Sequence, residues 1–294
     1  MKRNTFLKNI GLLSIGTYMG NIADLSKLTD GFSKADKMPV LFLGHGSPMN
    51  AIEENLWVDE FRALGKKLPQ PNAILCISAH WYTKGTWVTA MEQPKTIHDF
   101  GGFPQALFDV QYPAPGDPKL AQETADLLEP VQVGLDETWG LDHGTWSVLK
   151  HLYPNANVPI IQLSIDYTKP PQFHYELAQK LKSLRNKGVL IVGSGNIIHN
   201  LRMVDFRNIN NPGYGYDWAH EVQKTSNQWI LDHNIDPLMN YQNQGKAFQL
   251  AVPTPDHYLP LMYAMGLRDN KDTPFLFNDD LVAGSLSMTS VLYS

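Results

Sequence analysis

Val40-Leu41-Phe42-Leu43-Gly44-His45-Gly46-Ser47-Pro48 is an unbroken apolar run that stops at a histidine between two glycines. The pattern returns at Ala73-Ile74-Leu75-Cys76-Ile77-Ser78-Ala79-His80-Trp81. A short, wholly apolar run reads as a strand covered on both faces. Between the two, the segment from Glu54 to Leu68 turns Trp57, Phe61 and Leu64 inward at helical spacing, and Pro69-Gln70-Pro71-Asn72 ends it. Strand–helix–strand predicts two parallel strands close together in one sheet. Both histidines then emerge at one carboxyl edge, where open α/β sheets bind their ligands.

The same grammar continues along the chain. Pro159 to Ile165 and Gly188 to Gly193 read as further buried strands around a helix from about Pro171 to Asn186, with Phe173, Leu177 and Leu181 on one face. The second of these strands runs into Ser194-Gly195-Asn196-Ile197-Ile198-His199-Asn200, a third strand end that delivers a histidine. Trp87 to Met91 predicts a strand, Asp117 to Leu128 a helix, and Trp139 to Trp146 a glycine-bracketed loop entering a helix that runs to His151. Helices are expected at Trp218 to His233, at Met239 to Leu250 and after the rigid turn Pro253-Thr254-Pro255-Asp256-His257, with two closing strands between Pro274 and Tyr293. Thr96 to Pro115 is rich in Gly and Pro yet carries Ile97, Phe100, Phe103, Leu107 and Phe108, so it reads as a functional loop and not a linker. Arg207 to Tyr216 reads as an exposed polar loop. The expected architecture is one α/β domain over 38–294, with a mostly parallel central sheet flanked by helices and a metal site at the carboxyl edge of the strands.

Composition narrows the partners. The chain has 294 residues, 43% hydrophobic and 18% charged, with net charge −5 and mean hydropathy −0.27, an ordinary globular balance. Without a basic cluster it has no footprint for nucleic acid. A lone cysteine, Cys76, rules out a disulfide framework and a thiolate zinc site and fits a buried core thiol. Residues 1–37 stand apart: Lys2-Arg3 precede a short apolar stretch from Phe6 to Met19, and Arg3-Asn4-Thr5-Phe6-Leu7-Lys8 resembles a twin-arginine signal with Asn4 in place of its second arginine. The segment is an export signal or a loose N-terminal arm; it is too short and too interrupted for a transmembrane span. The cytoplasm is the expected location, the periplasm the alternative if that signal works.

Ten histidines against one cysteine mean that any metal is held by nitrogen and oxygen. His45, His80, His199 and His257 each sit at an element end beside Gly, Pro or another small residue, which makes them candidate ligands. His143, in Asp142-His143-Gly144-Thr145 at a helix start, is pushed towards its neutral form and suits a base or hydrogen-bond donor; alternatively the segment is only a helix cap. His98, beside Asp99, lines the site or is exposed. His151, His174, His220 and His233 read as surface, and Glu53, Glu54 and Asp59 as a solvated helix face. Trp81, Tyr82, Trp139 and Trp146 are expected in the core or on the pocket wall, where they would suit an aromatic substrate. There is no G-x-S-x-G, no P-loop and no H-E-x-x-H.

Gly44-His45-Gly46-Ser47-Pro48, Ser78-Ala79-His80-Trp81, Asp142-His143-Gly144-Thr145-Trp146, Gly193-Ser194-Gly195-Asn196-Ile197-Ile198-His199-Asn200 and Pro255-Asp256-His257-Tyr258-Leu259-Pro260 together resemble the 4,5-DOPA extradiol dioxygenase family. This is a branch of the class III extradiol ring-cleaving dioxygenases, related to the catalytic subunit of protocatechuate 4,5-dioxygenase. The likeness runs from about Met38 to the C-terminus. It implies a single α/β domain with a non-haem divalent metal, and a catechol such as L-DOPA as substrate beside O2. His45, His80 and His257 become metal ligands, His199 a fourth ligand or an acid/base, and His143 an acid/base or substrate contact. Where the wider superfamily has a carboxylate ligand this chain has His257, so Zn2+ on isolation is compatible with Fe2+ for turnover. Ring opening beside the hydroxyls of L-DOPA would give 4,5-seco-DOPA. The alternatives are a zinc hydrolase using a metal-bound hydroxide, and a non-catalytic metal-binding protein.

Overall fold

In the computed structural model, residues 37–209 and 211–294 are described. The signal-like stretch from Met1 to Met19 lies outside them.

Strand β1 (Val40–Gly44) leads through helix α1 (Leu56–Gly65) to β2 (Ala73–Ser78). Two short strands, β3 (Tyr82–Thr83) and β4 (Thr86–Thr89), precede the helical turn α2 (Gln105–Phe108) and helix α3 (Pro118–Leu127). Then come β5 (Val133–Asp136), helix α4 (His143–Leu152), β6 (Ile160–Gln162) and β7 (Ile165–Asp166). Helices α5 (Pro171–Lys180) and α6 (Lys182–Arg185) lead to β8 (Val189–Gly195). The last third holds α7 (Asp217–Leu231), α8 (Ile235–Met239), α9 (Lys246–Ala251) and α10 (Leu259–Leu267). Strands β9 (Pro274–Phe277), β10 (Leu281–Val282), β11 (Leu286–Ser287) and β12 (Ser290–Tyr293) close the chain.

The main sheet has the order β6-β2-β8-β1-β12-β9. Its first four strands are parallel, and β12 runs against both of its neighbours. The expected α/β domain with a mostly parallel sheet is therefore present. β1 and β2 are parallel but not adjacent, because β8 lies between them and pairs with both. The register sets Ser194 opposite both Leu43 and Ser78, so the three carboxyl ends finish level.

The strands are apolar on both faces because each face meets its own layer of helices. Val40 and Phe42, Leu75 and Ile77, Val189 and Ile191 face one core with α5, α7 and α10. Leu41 and Leu43, Ile74 and Cys76, Leu190 and Val192 face the other, with Phe61 and Leu64 of α1 and Trp146 and Leu149 of α4. Full burial of each such leucine or isoleucine contributes roughly 1.5–3 kcal/mol. Helix α10 is apolar around its whole circumference and all nine of its residues are buried, so it is a central helix. Cys76 is a buried thiol, as its strand position implies.

Several element boundaries differ from expectation. The predicted strand Pro159 to Ile165 divides after Gln162: Leu163 still bonds Cys76, but Ser164 bonds Trp87, and β7 pairs with β3. β4 leaves the main sheet and pairs with β5. The expected helix from Pro171 breaks at Leu181, whose amide reaches back only three residues, to Ala178. Gly245, at φ 99°, breaks the one expected from Met239. The C-terminal strands are separated by the small β10–β11 hairpin.

Two histidines read as surface are core residues. His151 is buried, its Nε2 2.8 Å from the Asn50 carbonyl, and His174 is fully buried with Nδ1 3.0 Å from the Tyr263 hydroxyl. Their helices pack on two sides, so helical position alone does not reveal exposure. Burial lowers the pKa of His174 from 6.5 to about 4. Between those values the unfolded chain binds a proton that the folded chain refuses, so stability is full above pH 6.5 and falls as pH drops towards 4. The loss is about 3 kcal/mol for this one group. Urea unfolding of wild type and His174→Gln across pH 7.5 to 4 is expected to show a shallower pH dependence in the variant. Parallel curves would refute the assignment.

Candidate metal centre

The level strand ends create the site. His45 follows β1 directly, its amide bonded to the Gly195 carbonyl at 3.1 Å. His80 lies two residues past β2, its amide bonded to the Ser78 hydroxyl at 3.2 Å. The turn carrying His257 is tied to the end of β8 by the Asn196 amide on the His257 carbonyl, 2.9 Å. Gly195 permits this contact: a Cβ there would stand 2.1 Å from the His257 oxygen. His143 opens α4, capped by the Asp142 carboxylate on the Thr145 amide at 3.1 Å. The cap is therefore real, and the capped residue also lines the cavity. His199 lies four residues beyond β8, its amide held by the Ala251 carbonyl at 2.9 Å.

All five predicted residues line one cavity of about 280 Å³. The rings of His45, His80 and His257 form a nearly equilateral triangle, with centroids 5.1, 5.1 and 4.9 Å apart. One nitrogen from each lies within 4.8 Å of the other two, a grouping that could hold a metal ion. His199 is not in that triad; its ring stacks on His257 at 3.5 Å, and it forms a separate group with Asp256 and His257. His143 lies over His80, centroids 3.8 Å apart.

The hydrogen bonds behind the rings orient their nitrogens. The Ser194 hydroxyl donates to the Gly144 carbonyl at 2.5 Å, so it accepts from His45 Nδ1 at 3.0 Å. Asp256 accepts from His257 Nδ1, and Asp99 lies 3.4 Å from His80 Nδ1. His45 and His257 therefore turn an unprotonated Nε2 inward. His45 Nε2 and His80 Nε2 face each other at 3.3 Å, a spacing that a shared proton or a bound cation can bridge. This donor set fits a divalent metal. Burial first, then the neighbouring rings, holds His45 and His80 well below the ordinary histidine pKa, and His199 is lowered to about 3 by the same two causes. All three are neutral ligand-type imidazoles at pH 7.

Two carboxylates support the ring set. Burial opposes ionisation of Asp256, but the bond from His257 holds its pKa below the usual carboxylate range. Burial likewise opposes ionisation of Asp99, and the bonds from His143 outweigh it. Asp99 accepts from both the His143 amide and His143 Nδ1, each at 2.9 Å. Sequence reasoning noticed Asp99 only as a neighbour of His98. No spacing signal ties it to His143, because the contact spans 44 residues. Beneath the site, Asp142 is fully buried and accepts from Ser78 and from Gln162, both at 2.7 Å.

Of the two places expected for the tryptophans, Trp81 and Trp146 take the core, and other residues make the aromatic wall. It is formed by Phe100, Phe103 and Phe206. Trp81 and Trp139 stack on each other instead, and Trp146 is buried against the Ile97 carbonyl. His98 binds the Val110 carbonyl within the 96–115 loop and does not line the cavity.

Residues 39–285 match the family model described as the catalytic LigB subunit of aromatic ring-opening dioxygenase. The chain belongs to this family. It is an enzyme, an extradiol dioxygenase, and that decides against the hydrolase and binding-protein alternatives. Among curated relatives it is 49% identical over 266 residues to the 4,5-DOPA dioxygenase extradiol of Escherichia coli (strain K12), covering 89% of this chain and 97% of that one. It is 33% identical over 270 residues to the 4,5-DOPA dioxygenase extradiol of Beta vulgaris, covering 86% and 95%. The crystal structure of an uncharacterised Escherichia coli K12 protein superposes with TM-score 0.74 at 43% identity, over 88% of this chain and 100% of that one. Among the described residues no helix is long and apolar enough to cross a membrane.

Proposed function

We propose that residues 38–294 form a single catalytic unit that opens a catechol ring beside its hydroxyls, with His45, His80 and His257 holding one divalent metal. The observation that carries this reading is the inward triangle of three imidazoles at the carboxyl edge of the sheet. The names of the relatives support a DOPA-type catechol as an assay substrate. When bound, Fe2+ supplies Lewis acidity towards the catechol oxygens and redox chemistry towards O2. Zn2+ suits the all-imidazole donor set equally well and is compatible with the protein as isolated.

The chain's own residues do the rest. His143 Nδ1–H donates to Asp99, which leaves Nε2 free to take a phenolic proton. His199, stacked on His257, is a second acid/base at the opposite side of the triangle and not a required ligand. Phe100 and Phe103 flank the ring and exclude water. Both atoms of O2 enter the product, and the ring carbon–carbon bond next to a hydroxyl-bearing carbon is broken, giving a semialdehyde. The cytoplasm is the proposed location, because Asn4 stands where a twin-arginine signal needs its second arginine.

Metal-free protein reconstituted anaerobically with Fe2+, then given L-DOPA and air, is expected to yield a yellow ring-opened product with O2 uptake matching catechol loss. The Zn2+ form is expected to give neither. No O2 uptake with iron across several catechols would overturn the proposal.

A further inference from the structure

Asp142 makes more bonds than its place at the start of α4 requires. A helix cap needs one side-chain oxygen, and asparagine or serine supplies it as well as aspartate. Asp142 is fully buried, and its carboxylate accepts from four donors. Oδ1 takes the Ser78 hydroxyl at 2.7 Å and the Thr145 amide at 3.1 Å. Oδ2 takes the Gln162 side-chain amide at 2.7 Å and the Trp139 indole at 3.3 Å. The Ser78 hydroxyl accepts from the His80 amide, so its own proton goes to Asp142. With four donors and no acceptor around it, the group is ionised. Burying a charge among neutral partners is unfavourable, so capping alone does not account for it.

These bonds join the two elements that deliver His80 and His143. Ser78 ends β2, and its hydroxyl holds the His80 amide at 3.2 Å. Asp142 immediately precedes His143, and its own amide is held by Gln162 Oε1 on β6 at 3.0 Å. Gly144 lets the two elements meet: a Cβ there would stand 2.4 Å from Ser78 Oγ and 2.8 Å from His80 Cδ2. The rings of His80 and His143 consequently lie with centroids only 3.8 Å apart. We propose that Asp142 is a positioning residue for ring opening. Through Ser78 it ties the His80 backbone to the first turn of α4, and so fixes the metal-holding ring against the proton-accepting one. Gln162 sets the carboxylate by engaging both its Oδ2 and the Asp142 amide. The proposal rests on the roles assigned above to His80 and His143.

Asp142→Asn keeps an oxygen for the cap but turns an NH2 group towards the donors on Gln162 and Trp139. Folding verified by circular dichroism, it is expected to keep one metal per chain and the wild-type KM while kcat falls about 10–100-fold. Loaded with Co2+, it is expected to show a shifted visible spectrum at unchanged stoichiometry, because the His80 ring moves. The exchange Asp142→Asn/Gln162→Glu places an acceptor opposite the new NH2 group and is expected to recover both kcat and spectrum. Wild-type kcat or an unshifted Co2+ spectrum in folded Asp142→Asn would overturn the proposal, as would an exchange variant that fails to recover them. If Asp142→Asn does not fold, Ser78→Ala cuts the same link with a smaller change: a matching loss and shift support the proposal, and wild-type values refute it. If the wild type turns over no catechol, the proposed reaction falls, and the Co2+ spectra still decide the positioning.

Discussion

His45→Ala is expected to lose its metal and, with it, all measurable turnover. His45 sits at the common vertex of the site: its ring lies 5.1 Å from both His80 and His257, and it is 2% exposed. Its Nδ1 is spent on Ser194, so its whole contribution inward is one Nε2 lone pair. Without that nitrogen, two imidazoles remain in the triad, too few to hold a catalytic ion against water. A bound metal supplies several kcal/mol of charge stabilisation, and each 1.4 kcal/mol is tenfold in rate, so the loss is about 1000-fold or more. Elemental analysis after anaerobic reconstitution is the direct measurement, with circular dichroism to verify folding. His80→Ala is expected to behave alike. Full metal content in either folded variant would remove the triad from the centre.

His143→Ala separates the metal from the proton. It is expected to retain wild-type metal content and to lose turnover by about 10²–10⁴-fold, the usual worth of a positioned general base. The loss belongs in kcat more than in KM, since the floor and walls of the cavity remain. Asp99→Asn tests the same device from behind. Asp99 offers two carboxylate oxygens to two donors, the His143 amide and Nδ1–H. An asparagine offers one oxygen, and its NH2 group opposes whichever donor is left. The expected loss is about 10–100-fold, again with metal retained. If His143→Ala loses metal as His45→Ala does, His143 is a ligand and the division of roles proposed here fails.

The histidine set was readable from the chain because each member ends a recognisable local pattern. His45, His80 and His199 follow apolar strands into glycine or other small residues, and His257 follows a proline turn. Such signals are local, since a strand buried on both faces needs a continuous apolar run and a close strand end needs residues with little or no side chain. The aromatic wall was not readable. Tryptophan, tyrosine and phenylalanine look alike to a pattern that asks only for apolar bulk. Phe100 and Phe103 reach the cavity because the 96–115 loop folds over it, while Trp81 and Trp139 find each other instead. His151 and His174 were misread for a related reason: a polar residue on a helix is buried when neighbours cover both sides and a hydrogen-bond partner is waiting.

By itself the sequence determined the α/β class, the parallel strands, the shared edge and the five histidines, because burial on two faces, turn chemistry and strand-end glycines are written within a few consecutive residues. Tertiary structure alone decided that β8 inserts between β1 and β2, that His199 stacks on His257 outside the triad, and that Asp99 crosses to His143. It also brought Leu201 and Phe206 to the lining of the cavity. Those facts join residues tens of positions apart. Hydrophobic periodicity tells a segment which face to bury, and the competition among all segments for one sheet and two layers of helices decides what that face will meet.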